Sequence, residues 1–329
     1  MNKTLYLCVL ICFSSLLSIS QNAGSLTDRP GTFEILSRTD YTSPDCGFPK
    51  TEVAANLQRI INLVNVVRKN PVLTDIKGFN GRARIYNALC KQDCGYGVPA
   101  RISFEFSSFF YGKTGKVVYN TIEPPEWSVY INMVNTLGSG FSSDVFDRDK
   151  CYFTVPLNKR TVQPGIDIYN NECIVIYDPN RPDYWIPVTV EEAFNSAREF
   201  SAKEEDQVAA AYTKQFLDSE YAEFSAGDLK KPAFFGGNLS RVGVSPGMGE
   251  QDSIFPRIMK VNPAYWNRNL PKAAIQFITL NSIQNKAYLK EEYADCLKHT
   301  DTGSGCALSR FEAEYSLEDV KRLQFLIGK

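Results

Sequence analysis

Short alternating segments between residues 100 and 177 constrain the fold of this chain more than any other feature. In RISFEFSSFFYG, apolar Ile102, Phe104 and Phe106 alternate with polar residues, as expected for a strand with one buried face. The glycine-bounded turn at 112–115 then leads into KVVYNT, which predicts an antiparallel hairpin. Further strand-like segments follow without a helix between them: WSVYINMV, CYFTVPL, GIDIYN and CIVIYD. Because parallel strands need long crossover connections, this region predicts an antiparallel or mixed sheet.

Helical patterns flank this region. PKTEVAANLQRIINLVNVVRKN has apolar residues at helical spacing and predicts a helix over 50–69, which Asn70-Pro71 ends. Thr189 and Glu192 have the spacing of a capping box and predict a helical segment toward Phe224, as one helix or two. The predicted class is therefore α+β: a largely antiparallel or mixed twisted sheet packed by an N-terminal helix and a long central helix. C-terminal strands near RIMKV and AAIQFITL, and the helices after them, complete it.

The N-terminus has the pattern of a secretion signal. Lys3 precedes an apolar stretch of 13 residues, and Ser18-Ile19-Ser20 has the small-x-small pattern of a cleavage site. The stretch is shorter than the roughly 20 residues that span a bilayer. We therefore expect cleavage after Ser20 and a secreted or periplasmic protein with no transmembrane segment in the mature chain. The predicted organisation is a signal peptide (1–20), an irregular arm (21–45), an α+β core domain (46–226), a Gly/Pro-rich loop (227–256), and C-terminal strands and helices packed on the core (257–329).

The order of several segments resembles that of uncharacterised exported proteins of Bacteroidota-type bacteria. The first helix is followed by KGFNGRARIYNA and then by ARISFEFSSFFYGKTGKVVYNTIEPPEWSVYIN. DPNRPDYWIPVTVEEAF and VNPAYWNRNLPKAAIQFITL follow in the same order. The resemblance covers most of the mature chain and implies a secreted bacterial protein. It implies no activity and no site residues.

Charge and cysteine content exclude several functions. Removal of Lys3 with the signal leaves 35 basic and 37 acidic residues, so the mature chain has no basic excess that would favour nucleic acid or an anionic membrane. Seven cysteines remain, and an oxidising compartment favours disulfides over metal ligands. We expect Cys296–Cys306 and Cys151–Cys173 bridges. The other three cysteines, Cys46, Cys90 and Cys94, would then hold one bridge and one free thiol.

Familiar catalytic motifs are incomplete. GVSPG at 243–247 has the serine-elbow pattern, but Pro246 removes the amide hydrogen that an oxyanion hole requires. YGKTGK lacks the first glycine of a phosphate loop because Ser107 occupies that position. His299 is the only histidine, and its place at a predicted helix end favours a structural role over nucleophilic catalysis or a zinc site. We therefore predict no catalytic residues, no metal and no cofactor.

Carboxylates and aromatic residues are the remaining candidates for function. Glycoside hydrolysis needs two carboxylates, and Glu105, Glu123, Glu126 and Asp183 are the nearest candidates. All three tryptophans lie in proline-bearing segments, two of them within Tyr-Trp pairs. Rigid aromatic rings bind sugars or peptides with little loss of side-chain entropy, although the same rings also anchor loops to a sheet. The predicted ligand-binding residues are Trp127, Tyr184, Trp185, Tyr265, Trp266, Asp183 and Glu126.

These observations predict an exported, non-catalytic binding or interaction protein. Its partner is unknown from the sequence, and a glycan or a peptide is the expected ligand. A carboxylate-dependent, glycosidase-like hydrolase is the first alternative, and a structural component of the envelope is the second. The run from 178 to 194, DPNRPDYWIPVTVEEAF, is expected to join a strand to a helix and also to line a binding site.

Overall fold

The computed structural model describes residues 26–38, 47–89, 96–133, 150–155, 158–234, 257–281, 286–298 and 306–329. The predicted signal peptide, Cys46, Cys90, Cys94 and His299 lie outside the described residues. Most of the predicted Gly/Pro-rich loop, with its GVSPG motif, also lies outside them.

The described residues form strands and helices in separate stretches of the chain, which confirms the α+β class. The strands are β1 (Phe33–Arg38), β2 (Phe79–Asn87), β3 (Ala100–Tyr111), β4 (Val117–Tyr119), β5 (Glu126–Ile131), β6 (Tyr152–Val155), β7 (Lys159–Gln163), β8 (Ile166–Tyr169), β9 (Cys173–Tyr177), β10 (Trp185–Pro187), β11 (Arg257–Val261) and β12 (Phe277–Asn281). The helices are α1 (Lys50–Val67), α2 (Pro71–Thr74), α3 (Val190–Ser201), α4 (Gln207–Tyr221), α5 (Lys286–Lys298), α6 (Cys306–Glu314) and α7 (Leu317–Gln324).

Nine of these strands form one mixed sheet in the order β1-β2-β3-β5-β12-β9-β8-β7, with β4 paired to β3 as the predicted hairpin. The β1–β2 pair is parallel, and the other pairs are antiparallel. β12 lies between β5 and β9, so a C-terminal strand completes the sheet as expected. Strand β1 lies within the segment predicted to be an irregular arm. That expectation was wrong for Phe33–Arg38, which is extended through its pairing with β2.

The two faces of the large sheet are covered differently. On one face, residues of β2, β3, β5, β8, β9 and β12 pack against α1, α6 and α7 in a continuous core. On the other face, Val175 and Phe277 pack against a three-stranded sheet in the order β10-β11-β6. Strand β9 contributes to both cores because its successive side chains alternate, with Ile174 and Ile176 on the helix-covered face.

The central helical segment is two helices, α3 and α4. The predicted capping box is present, because the Thr189 hydroxyl accepts from the backbone of Glu192 and Glu192 accepts from the backbone of Thr189. Asp206 caps α4 by accepting from two backbone amides. These helices form a core with Ile258 of β11. They therefore cover the small sheet, and the prediction that they cover the large sheet was wrong.

The cysteines follow the prediction in one case. Cys296 and Cys306 form the expected disulfide between α5 and α6. Cys151 is disulfide-bonded, but Cys173 is a free buried thiol, so the predicted Cys151–Cys173 bridge is wrong. Cys151 precedes β6 of the small sheet, whereas Cys173 begins β9 of the large sheet, so the two strands are not neighbours.

Among the helices described, none combines the length and apolar character that crossing a bilayer requires.

Candidate ligand pocket between the two sheets

A pocket of about 230 Å³ lies where the small sheet meets the β7–β8 hairpin of the large sheet. Strands β6, β7, β8, β10 and β11, together with the residues just before β10, supply its described lining. These residues are Val155, Lys159, Tyr169, Asp183, Tyr184, Trp185, Pro187, Arg257 and Met259. A volume of this size holds one sugar residue or one amino acid, and an extended peptide strand requires a longer groove.

The turn at 178–181 fixes the chain that carries Asp183, Tyr184 and Trp185 to the pocket. The Asp178 carboxylate accepts from the Asn180 amide at 3.0 Å and from Arg181 Nε at 2.9 Å. Arg181 also donates to the Tyr265 carbonyl and to Gln276, each at 3.1 Å. Burial alone would raise the pKa of Asp178, but the hydrogen bonds from Arg181 and Asn180 lower it below its ordinary value. The carboxylate is thus charged at neutral pH and holds the turn closed.

Aromatic side chains make a rigid wall. The rings of Tyr184 and Trp185 lie 4.7 Å apart between centroids in an edge-to-face arrangement. Phe153 and Tyr169 contact Trp185 at 5.3 and 5.6 Å, and Phe277 contacts Tyr184 at 5.3 Å. Tyr169, Tyr184 and Trp185 are each 5 % exposed or less. Neighbouring rings and burial both restrict these side chains, so the wall is rigid.

A buried carboxylate lies behind this wall. Asp167 of β8 accepts from the hydroxyls of Tyr184 at 2.6 Å and Thr161 at 2.7 Å, and Lys159 Nζ lies 2.9 Å from it. The Tyr177 hydroxyl donates at 3.4 Å. The Asp167 side chain is 0 % exposed, so these donors replace the water that a charged group requires. The network connects three strands and fixes Tyr184 and Lys159 at the pocket.

The tyrosines of this network are neutral donors. Burial, with the nearby Asp167 charge, raises the pKa of Tyr177 to about 12. Burial raises the pKa of Tyr184 well above its ordinary value, and burial also raises that of Tyr169. Since the single Tyr184 hydroxyl hydrogen goes to Asp167, Tyr169 donates to the Tyr184 oxygen across 2.8 Å. Hydrogen bonds are therefore donated in sequence, from Tyr169 to Tyr184 and from Tyr184 to Asp167.

Two cationic side chains line the pocket, and they differ in their contacts. Lys159 is bound to Asp167, and its ammonium lies 5.3 Å from the centre of the Tyr184 ring. Arg257 lies over the Phe234 ring at 5.4 Å, and its Nε is buried without a hydrogen-bond acceptor. The indole nitrogen of Trp185 is also buried without an acceptor.

The structure separates the seven predicted ligand-binding residues into three places. Asp183, Tyr184 and Trp185 line the pocket. Tyr265 and Trp266 belong to the same aromatic core but are not among the described lining residues. Tyr265 donates to the Gln276 carbonyl at 2.5 Å, and Trp266 stacks on Tyr96 at 5.3 Å, so both residues fasten a loop to the sheet.

Trp127 and Glu126 are not among the described residues that line this pocket. Trp127 is 2 % exposed in the core of the helix-covered face, where its ring contacts Phe311 at 5.1 Å and its indole nitrogen donates to the Asn281 carbonyl. Glu126 bonds to Arg101 and Ser103. The expectation that the three tryptophan segments form one contact surface was therefore wrong, because Trp127 is on the opposite face of the large sheet.

The other proposed carboxylates are also outside the pocket. Glu105 is buried and pairs with Arg84 at 2.7 Å and Arg82 at 3.6 Å. Glu123 is exposed in a turn with a left-handed backbone, φ 47°. Asp183 is thus the one candidate carboxylate among the described pocket-lining residues. Within the same described ranges, no group of three or more His, Cys, Asp or Glu side chains is arranged to hold a metal ion.

Four residues of the site were missed by the sequence reasoning: Lys159, Asp167, Tyr169 and Arg257. A signal for one of them was present, because Asp167 is a lone charge in the apolar segment GIDIY, and lone buried charges need a partner. The hairpin that pairs Lys159 with Tyr169 also places Thr161 opposite Asp167. No local pattern marks Arg257.

No protein-family model, no curated protein and no solved structure matches this chain.

Proposed function

We propose that this protein is an exported, non-catalytic binding protein and that the pocket between its two sheets holds one sugar residue of a glycan. The observation that carries the proposal is the pocket lining itself, in which Tyr169, Tyr184 and Trp185 lie beside Asp183, Lys159 and Arg257. Sugars are recognised by this combination, since apolar ring faces pack on aromatic carbon and hydroxyls bond to charged groups.

Size supports a sugar over a peptide. A pocket of about 230 Å³ accommodates a single residue, whereas peptide strands bind along sheet edges or grooves. The N-terminal pattern and the resemblance to exported bacterial proteins predict export, and an exported protein has access to glycans.

Binding without hydrolysis is supported by the state of the two acidic groups near the pocket. Asp183 is exposed, but Asp167 is enclosed and already accepts from Thr161 and Tyr184. Glycoside hydrolysis uses two carboxylates that both reach the scissile bond. The described pocket has one such group in reach.

A structural role in the envelope is favoured by one separate observation. The β3–β4 hairpin and the turn after it expose Phe110, Tyr111, Val118, Tyr119 and Ile122. Exposed apolar clusters on an edge hairpin are typical of protein contacts. Sedimentation of the mature protein at increasing concentration tests this role, and self-association abolished by Phe110→Ser with Tyr119→Ser would favour it over a monomeric binding protein.

The binding proposal is tested by titrating the oxidised protein from residue 21 onward with a panel of monosaccharides and short peptides in a calorimeter. We expect at least one sugar to bind, and Asp183→Asn to weaken that binding about tenfold, the effect of losing one hydrogen bond to a charged group. Asp75→Asn is the matched control, because Asp75 is an exposed carboxylate paired with Lys77.

Three outcomes would contradict the proposal. One is the absence of binding to any sugar in the panel, and another is equal affinity in the Asp183→Asn protein and the wild type. The third is release of sugar from a glycan by the wild type but not by Asp183→Asn, which would favour the hydrolase.

A further inference from the structure

Of the three charged side chains among the described lining residues, only that of Lys159 forms an ion pair. Lys159 has a counter-ion, since its ammonium lies 2.9 Å from Asp167. Arg257 forms no ion pair with any residue in the described part of the chain, and neither does Asp183 on the exposed side. Arg257 is thus a cation in the wall of the pocket that forms no ion pair with a carboxylate of the described residues.

The position of Arg257 is fixed by its backbone and by its ring contact. It is the first residue of β11, where it pairs with Val155 of β6 and forms a bridge with Phe234. The Phe234 ring lies 5.4 Å from the guanidinium carbon. An arginine held against an aromatic ring loses little further freedom when it binds a carboxylate, which makes it well suited to that role.

Two buried donors in the wall have no acceptor. These are Nε of Arg257 and the indole nitrogen of Trp185, and both residues line the pocket. Both nitrogens are enclosed, so the charged donors left in the lining are the Arg257 guanidinium and the Lys159 ammonium, which favour a ligand with more acceptor oxygens than donors. A carboxylate has two acceptor oxygens and no donor, whereas a sugar hydroxyl brings a donor with each acceptor.

We propose that the pocket takes an acidic sugar and that Arg257 binds its carboxylate. This inference rests on the proposed function and names the class of sugar. Lys159 adds a second positive charge. If its ammonium turns toward the ligand, Asp167 still accepts hydrogen bonds from Thr161 and Tyr184. Asp183 accepts from the hydroxyls of the same sugar and repels a carboxylate beside it, so the acid group pairs with Arg257.

Matched sugar pairs test the inference. Galacturonic acid and galactose differ by a carboxylate in place of a hydroxymethyl group, and glucuronic acid and glucose differ in the same way. We expect the oxidised wild-type protein at pH 7 to bind one of the acids at least tenfold more tightly than its neutral counterpart in calorimetric titrations. The preference should shrink as sodium chloride rises from 20 to 500 mM, because salt screens the pairing.

Variants identify the residue responsible. Arg257→Gln should remove most of the preference, lowering the affinity for the acid about tenfold while changing that for the neutral sugar less than twofold. Arg160→Gln is the matched control, because Arg160 is an exposed arginine that follows Lys159 on β7 and points to the other face. Equal melting temperatures establish that the variants are folded. If Arg257→Gln does not fold, the wild-type preference and its salt dependence decide the question.

The outcomes separate this inference from the proposed function. Equal affinity for acid and neutral sugar, with both weakened by Asp183→Asn, would overturn the acidic-sugar inference and leave a sugar-binding protein. A preference that survives in a folded Arg257→Gln protein would overturn the role of Arg257. Binding of amino acids or peptides but no sugar would overturn both.

Discussion

Replacing Asp167 with asparagine perturbs the group that orders the pocket wall. The carboxylate has no solvent exposure, and its donors are Lys159, Thr161, Tyr184 and, at longer range, Tyr177. Asparagine has nearly the same shape but has one acceptor oxygen and an NH₂ group. That NH₂ group would face other donors, so at least one of them would lose its acceptor.

The expected loss follows from these contacts. A hydrogen bond to a charged group contributes about 1.5–3 kcal/mol, and breaking a buried ion pair costs about 3–5 kcal/mol. Lys159 has a side-chain exposure of 40 %, so water can solvate its ammonium once the pair is broken. We therefore expect Asp167→Asn to lower the free energy of unfolding by about 2–4 kcal/mol.

Urea unfolding at pH 7 under oxidising conditions, followed by far-ultraviolet circular dichroism, measures this loss. Tyr184→Phe removes one donor to Asp167 and should cost about 1–2 kcal/mol. The double variant should lose less than the sum of the two single losses, because both remove the same hydrogen bond. The control is Asp218→Asn, an exposed carboxylate between Arg198 and Lys214. Equal stability of Asp167→Asn and this control, or additive losses in the double variant, would refute the reasoning.

Three further predictions concern residues outside the pocket. Trp127→Ala should lower the free energy of unfolding by about 3–5 kcal/mol in urea, because it empties a site in the helix-covered core, and a loss below about 1 kcal/mol would contradict that placement. Burial raises the pKa of Cys173 to about 11, so its thiol should react with Ellman's reagent at pH 8 only after unfolding; rapid reaction in the native protein would contradict its burial. Burial raises the pKa of Glu312 from 4.5 to about 7, with the positive charge of Lys286 opposing it. The folded protein thus retains a proton that the unfolded chain releases, so the stability supplied by this group is lost as pH rises from about 4.5 to 7. Glu312→Gln should remove that pH dependence in urea titrations, and an unchanged slope would refute it.

Local sequence patterns predicted the elements that depend on residues close together in the chain. The alternation in RISFEFSS predicted that Ile102, Phe104 and Phe106 face the core, but the polar residues between them are buried as well. The Thr189 capping box predicted the first turn of α3, because it depends on residues three positions apart. The Cys296–Cys306 bridge was predicted for the same reason, since its partners are ten positions apart.

Elements that depend on distant partners were not predicted. Phe33–Arg38 is a mixed polar and apolar segment that becomes a strand by pairing with β2, about 48 residues away in the sequence. Cys151 and Cys173 both precede strand-like segments, but the sequence does not reveal that β6 and β9 belong to different sheets.

The tryptophans illustrate both cases. EWSVYI alternates so that Trp127 shares a face with Val129 and Ile131, and this pattern already indicated a core residue. The proline-bearing context of Trp127 and Trp185 was similar, so context alone did not separate them. The pocket itself joins Lys159, Trp185 and Arg257 from three strands in two sheets, and only the folded chain brings them together.

Fluorine NMR tests the location of the binding site most directly, because the chain has three tryptophans and 5-fluorotryptophan labelling gives three resonances. Trp127→Phe and Trp266→Phe assign them, and the sugar that binds in calorimetry is then titrated into the labelled wild type. The pocket account predicts that the Trp185 resonance shifts in proportion to occupancy while the Trp127 resonance stays in place. A bound sugar that leaves Trp185 unmoved, or that moves Trp127 most, would contradict it.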